Sequence, residues 1–155
     1  MSYIETNLMP GESIIYKAQI HWIIFLPAIV FVIPAIWLIA EHHQGDNSGV
    51  FAGLLILIAL VYFIKAFITK ISTELAITSK RVIAKFGLIR RNTIELNHSK
   101  VESFNVEQSI LGRLLGFGTI VVNGTGGGKT PIPCIDSPLD FRKNAMETID
   151  QSQRS

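Results

Sequence analysis

The run from Asn123 to Thr130, NGTGGGKT, ends in the Gly-Lys-Thr of a phosphate-binding loop. Such a loop needs a glycine six residues before the lysine and a helix starting at the Lys-Thr pair, so that backbone N–H groups point at phosphate. Asn123 stands where that glycine should be, and Pro131 and Pro133 block the helix. The segment therefore reads as the glycine-rich tip of a β-hairpin, and no nucleotide partner is expected. Glu41, His42, His43 and Asp46 could offer metal ligands, yet adjacent histidines on a short link do not converge without a further partner. No metal or cofactor is expected. His21 and His98 stand alone, and no serine, cysteine or histidine has the spacing of a nucleophile with its base. Cys134 is the single cysteine, so it forms no intrachain disulfide and reads as a packed thiol in a reducing compartment. The residues thus make no case for an enzyme.

The remaining chemistry is cationic. From Lys65 to Lys100 the chain carries Lys65, Lys70, Lys80, Arg81, Lys85, Arg90, Arg91 and Lys100, against only Glu74 and Glu95. Lys65, Lys70, Lys80, Arg81, Arg90 and Arg91 are candidate contacts to anionic lipid headgroups, each contributing about 1 kcal/mol near a charged surface. The alternative is that they only set membrane topology and solubility. A net charge of +2 gives no reason to expect nucleic acid.

These cations follow two apolar segments. Trp22 to Ala40 is nineteen residues without a charge, about 28 Å of helix, close to the ~30 Å hydrocarbon core. Val50 to Ile64 is the second, extended to Thr69 by a lysine, Lys65, able to snorkel to the headgroups. A chain of 155 residues with 48% hydrophobic and 17% charged content has no soluble core able to enclose two such helices. Pro27 and Pro34 lie seven apart on one face of the first helix, while Trp22 and Trp37 sit near its ends as belt aromatics. Basic residues resist translocation, and the loop at 41–49 has none. The expectation is a multi-pass protein of the inner (plasma) membrane with both termini cytoplasmic and loop 41–49 outside.

After residue 70 the pattern changes to short strands: 73–78, 81–87, 92–97, 101–108, 117–124 and 130–135. Their links are too short for crossover helices, which favours an antiparallel meander. Ile110, Leu111, Leu114 and Leu115 could line one side of a short helix that Gly116 stops. A C-terminal helix over 137–151 starts with Ser137 as N-cap, Pro138 in the first turn and Asp140 three after the cap. Its apolar stripe is Leu139, Ala145, Met146 and Ile149.

The predicted organisation is a cytoplasmic segment 1–21, a two-helix transmembrane hairpin 22–69, a β-rich domain 70–151 and a tail 152–155. The fold class is α+β: two N-terminal transmembrane helices, then an antiparallel β-sandwich or barrel capped by a C-terminal helix, the outline of the pleckstrin-homology superfold. The run from Glu74 to Gly128 resembles the bacterial pleckstrin-homology-like domain of YdbS-type membrane proteins, formerly a domain of unknown function. The resemblance rests on Thr78-x-x-Arg81-Val82, the turn from Gly87 to Arg91, Val101-Glu102-Ser103 and above all Gln108 to Thr119, QSILGRLLGFGT. It covers positions 74–145 and implies a fold and a membrane-anchored layout, with no established chemistry. Similar bacterial domains tend to oligomerise, which implies a homo-oligomer or a membrane-protein partner. The expected function is a non-enzymatic binding and assembly module that meets a protein partner, itself or anionic headgroups at the inner face of the membrane. The alternative is a subunit of a transporter or channel, although neither span carries the inward-facing charge that marks an ion route.

Overall fold

The computed structural model describes residues 3–41, 47–87 and 92–154. Two compact units emerge: Met1–His21 together with Ile71–Ser155, and Trp22–Lys70. Residues 3–21 belong to the β-rich domain, although 1–21 is expected as a separate segment.

In the helical unit, a 3-10 turn at Trp22–Phe25 leads into α2 (Leu26–Ala40), and α3 (Ser48–Ser72) follows. α1 (Tyr3–Thr6) belongs to the other unit. Pro27 sits in the first turn of α2, where no backbone donor is lost, and Pro34 lies inside the helix. The buried residues are alanines spaced by seven: Ala28 and Ala35 on α2, Ala52, Ala59 and Ala66 on α3. Seven residues are about two turns, so each set forms one stripe, and small side chains there allow close backbone approach. Ring contacts flank the stripes, Phe25 with Phe63 and Phe31 with Tyr62, both at 5.4 Å. Most of the other side chains are apolar and exposed, including Ile33, Ile36, Trp37 and Val50. Only 17% of each helix's most apolar stretch is buried, and both are long and apolar enough to cross a membrane.

The other unit holds two antiparallel sheets. One has the order β1 (Ile14–Ala18), β2 (Glu74–Thr78), β3 (Arg81–Phe86), β4 (Asn92–Asn97); the second has β5 (Val101–Glu107), β6 (Phe117–Gly124), β7 (Lys129–Asp136). A continuation of β1 joins them. The His21 N–H donates to the Cys134 carbonyl at 2.7 Å, the Asp136 N–H donates to the Gln19 carbonyl at 2.9 Å, and Ile20 bridges Ile135. α5 (Pro138–Arg154) packs across this join. Its buried stripe is Phe141, Ala145 and Ile149, with Pro138 at the start. Phe141 meets Tyr16 of β1 and Phe104 of β5, edge to face and 5.9 Å away in each case, so one ring ties both sheets to the helix. Leu139 and Met146, expected in the stripe, are exposed. Ser137 has φ +46, and its hydroxyl reaches back to Asp136.

β2 and β3 carry apolar residues on both faces because both are covered. Leu75, Ile77 and Val82 fall on one face; Ala76 and Ile83, paired across the strands, fall on the other. α1 (Tyr3–Thr6) covers this second face by setting Ile4 on Ala76 and Ile83, with Leu8 and Ile14 beside them.

Candidate functional site

The charged residues divide sharply by environment. Arg81 opens β3 on the face covered by the N-terminal segment, and its side chain is only 7% exposed. Its guanidinium donates to both oxygens of Glu12 at 3.0 Å, to the Asn7 carbonyl at 2.9 Å, and to Glu95. Glu12, with a side chain 0% exposed, also accepts from the Thr78 hydroxyl at 2.6 Å and the Met9 N–H at 2.7 Å. Burial alone would raise the Glu12 carboxyl. The hydrogen bonds from Met9, Thr78 and Arg81, with the Arg81 charge, outweigh it and hold the group below its ordinary 4.5.

Arg81 is therefore a buried clasp between segments 69 residues apart, and its assignment as a headgroup contact is corrected. Lys80 is exposed and donates to the Pro10 carbonyl at 2.9 Å. Lys70 lies over the Phe25 ring at 5.6 Å, and Lys65 is exposed on α3. Arg90 and Arg91 lie outside the described residues, as do His42, His43 and Asp46. Of the four described candidates, Lys65, Lys70 and Lys80 are exposed and Arg81 is buried.

The glycine-rich segment is a hairpin tip. The Gly124 N–H donates to the Gly128 carbonyl and the Gly127 N–H to the Gly124 carbonyl, each at 3.0 Å. Lys129 and Thr130 then enter strand β7, where no helix follows to present N–H groups to a phosphate.

At the corner where the His98–Lys100 turn separates the two sheets, β4 has a strand neighbour only in β3, and β5 only in β6. Both edges thus carry backbone groups with no strand partner among the described residues. His98 is buried at this turn, its Nδ1 3.0 Å from the Ser152 hydroxyl. Burial lowers its pKa below the ordinary 6.5, and a weaker opposing pull comes from the Thr78 backbone.

The QSILGRLLGFGT segment builds a second corner. α4 (Ile110–Leu115) is capped by Ser109, whose hydroxyl accepts from the Gly112 N–H at 3.0 Å, and it ends at Gly116 with φ +79. A Cβ on Gly112 would lie 2.6 Å from the Phe117 carbonyl oxygen, so only glycine permits this approach. Gln108 donates to the same carbonyl at 2.9 Å. Beside α4 lies a cleft of about 600 Å³ lined by Gln108, Ser109, Arg113, Phe117, Thr119 and Cys134. Cys134 is half-buried, and burial pushes its thiol pKa up, away from the reactive thiolate. Ile110, Leu111, Leu114 and Leu115 do share a helix, but all four point outward. Their spacing was legible in the sequence. Their orientation was not, because an apolar stripe ordinarily signals core.

The model of the bacterial PH domain family matches residues 22–148. That range takes in both apolar helices, strands β2 to β7 and most of α5, and stops short of β1 at its N-terminal end. No curated protein and no solved structure shows a significant match. The motif-bearing α4 corner, the two antiparallel sheets closed by a C-terminal helix and a match over most of the chain agree, and the chain belongs to the bacterial PH domain family.

Proposed function

We propose that the protein is a non-enzymatic binding and assembly module, held at the inner face of the bacterial cytoplasmic membrane by α2 and α3, with both termini cytoplasmic. The PH fold supplies a binding scaffold, and two features support contact with protein. The observation that carries the reading is the pair of one-sided edge strands, β4 and β5, in a domain whose chain connects to the apolar hairpin twice, at His21–Trp22 and at Lys70–Ile71. An open edge accepts a strand from a partner or a second copy through backbone hydrogen bonds alone. Attachment at two points restrains the domain, so a weak edge contact is strengthened by high effective concentration in the membrane plane. The second feature is the cations. With Arg81 in a buried clasp and Lys80 held to Pro10, the basic run offers less to headgroups than its sequence suggests.

Native mass spectrometry of the detergent-solubilised full chain tests the proposal, with co-purifying species identified in the same sample. A defined homo-oligomer or a stoichiometric protein partner supports it. A monomer carrying only anionic lipid overturns it in favour of a headgroup reader.

A further inference from the structure

α4 is six residues long and presents four large apolar side chains to the outside: Ile110 at 86% exposure, Leu111 at 62%, Leu114 at 80% and Leu115 at 41%. Its only charge is Arg113, also exposed. A cluster of this kind on a domain surface is costly in water and marks a contact. The cluster is also rigidly built. The Ser109 cap, the left-handed Gly116 and the Gly112 approach to the Phe117 carbonyl fix the helix on the β5–β6 junction. The side chains are therefore held outward by the domain's own backbone.

The covalent path from this corner identifies what covers it. Two residues past α4, the Phe117 ring stacks on the His21 ring, with centroids 5.4 Å apart. The His21 N–H is bonded to Cys134, which lines the cleft beside α4. The residue after His21 is Trp22, the first of the apolar segment Trp22–Ala40. Consecutive Cα atoms are about 3.8 Å apart, so chain continuity starts the apolar segment one residue from the ring stacked on Phe117. The interfacial layer on each side of a bilayer is itself several ångströms thick.

We propose that α4 is a bilayer-seating wedge: Ile110, Leu111, Leu114 and Leu115 enter the interfacial layer of the membrane that α2 and α3 cross, with Arg113 at the level of the lipid phosphates. The proposal rests on the reading that α2 and α3 span a bilayer. The occupant is lipid because the chain runs from the His21–Phe117 stack directly into the apolar segment, and because the one charge on α4 is a cation, suited to anionic headgroups. The wedge fixes the tilt of the domain, which leaves the β4 and β5 edges on a surface of constant orientation.

The test uses the full chain reconstituted in vesicles of phosphatidylethanolamine and phosphatidylglycerol. In a Cys134→Ser background, an environment-sensitive fluorophore is placed on Leu114→Cys, on Thr125→Cys in the hairpin tip, and on Ile33→Cys in α2. Leu114 and Thr125 are both exposed, so neither substitution removes packing. Lipids carrying a nitroxide near the top of the acyl chain are expected to quench the Leu114 site at least twofold more than the Thr125 site, with blue-shifted emission. Equal, weak quenching at Leu114 and Thr125, with Ile33 strongly quenched, overturns the wedge and leaves the spans intact. A blue-shifted but unquenched Leu114 also overturns it, because protein then covers the helix. An unquenched Ile33 site overturns the spanning reading itself.

Discussion

Replacing Glu12 by glutamine keeps the shape of the clasp and removes one of its two carboxylates. The cost follows from the burial of Arg81, whose side chain is 7% exposed and loses its most buried partner. A fully orphaned buried ion costs about 3–5 kcal/mol, and Glu95, 36% exposed, keeps part of the pairing, so we expect about 2–3 kcal/mol. In a domain of about 100 residues, 1 kcal/mol moves the midpoint by roughly 4–6 °C, so the loss is roughly 8–18 °C. Both tryptophans, Trp22 and Trp37, lie in the apolar segments and outside the strands and α5 of the β domain. The assay is therefore the thermal exposure of the single thiol, Cys134, to a fluorogenic maleimide in the detergent-solubilised chain. Glu12→Gln/Arg81→Met is expected to recover part of the loss relative to Arg81→Met plus Glu12→Gln taken separately, since deleting both partners leaves no buried charge. The same clasp sets an acid limb. The Glu12 carboxyl is held below 4.5 in the folded state, so its contribution is complete above that pH and disappears as pH falls through the folded value. Wild type should lose stability below about pH 4.5, and Glu12→Gln should show a flatter limb. Strictly additive single and double variants, or a Glu12→Gln shift under about 2 °C, a few tenths of a kcal/mol, would refute the clasp.

Other expectations follow from the same packing. Phe141→Ala removes the ring that joins both sheets to α5 and should cost about 3–5 kcal/mol, read by the same thiol assay. Gly112→Ala would gain about 1 kcal/mol of helix propensity, but its Cβ meets the Phe117 oxygen at 2.6 Å, so a net loss of about 1–3 kcal/mol is expected. A gain in midpoint would contradict that geometry. His98 is buried with a lowered pKa, so its neutral form contributes stability above pH 6.5 that is lost as pH falls toward the folded value. His98→Gln should therefore flatten the midpoint between pH 7 and pH 5, where wild type slopes.

What the sequence disclosed and what it concealed differ in contact distance. β4 and β6 begin and end where the pattern of turn residues and β-branched residues places them, because hairpin neighbours are set locally. β1 was missed: its partner strand lies more than fifty residues away, with Ile14 opposite Thr78, and no nearby turn announces it. Arg81 looked like a turn cation for the same reason, since its burial depends on Glu12, which chain order alone does not bring near. In α5, Phe141, Ala145 and Ile149 recur at four-residue spacing and share the buried face, whereas Leu139 falls on the face of Met146, seven residues on, and both are exposed; a stripe drawn through Leu139 mixes two faces of the helix. For α4 the four apolar residues were found and their direction was not, because Gly112 and Gly116 turn the helix's other side onto the β5–β6 junction.

In the proposed arrangement α2 and α3 anchor the β domain, and both chain termini lie on the cytoplasmic side. Labelling of intact cells with a membrane-impermeant maleimide tests it most directly, using Asn47→Cys and Gln153→Cys placed one at a time in the Cys134→Ser background. The account expects Asn47→Cys to react in intact cells and Gln153→Cys to react only after lysis, with both variants in the membrane fraction. Reaction of Gln153→Cys in intact cells, or recovery of the chain in the soluble fraction, would contradict it.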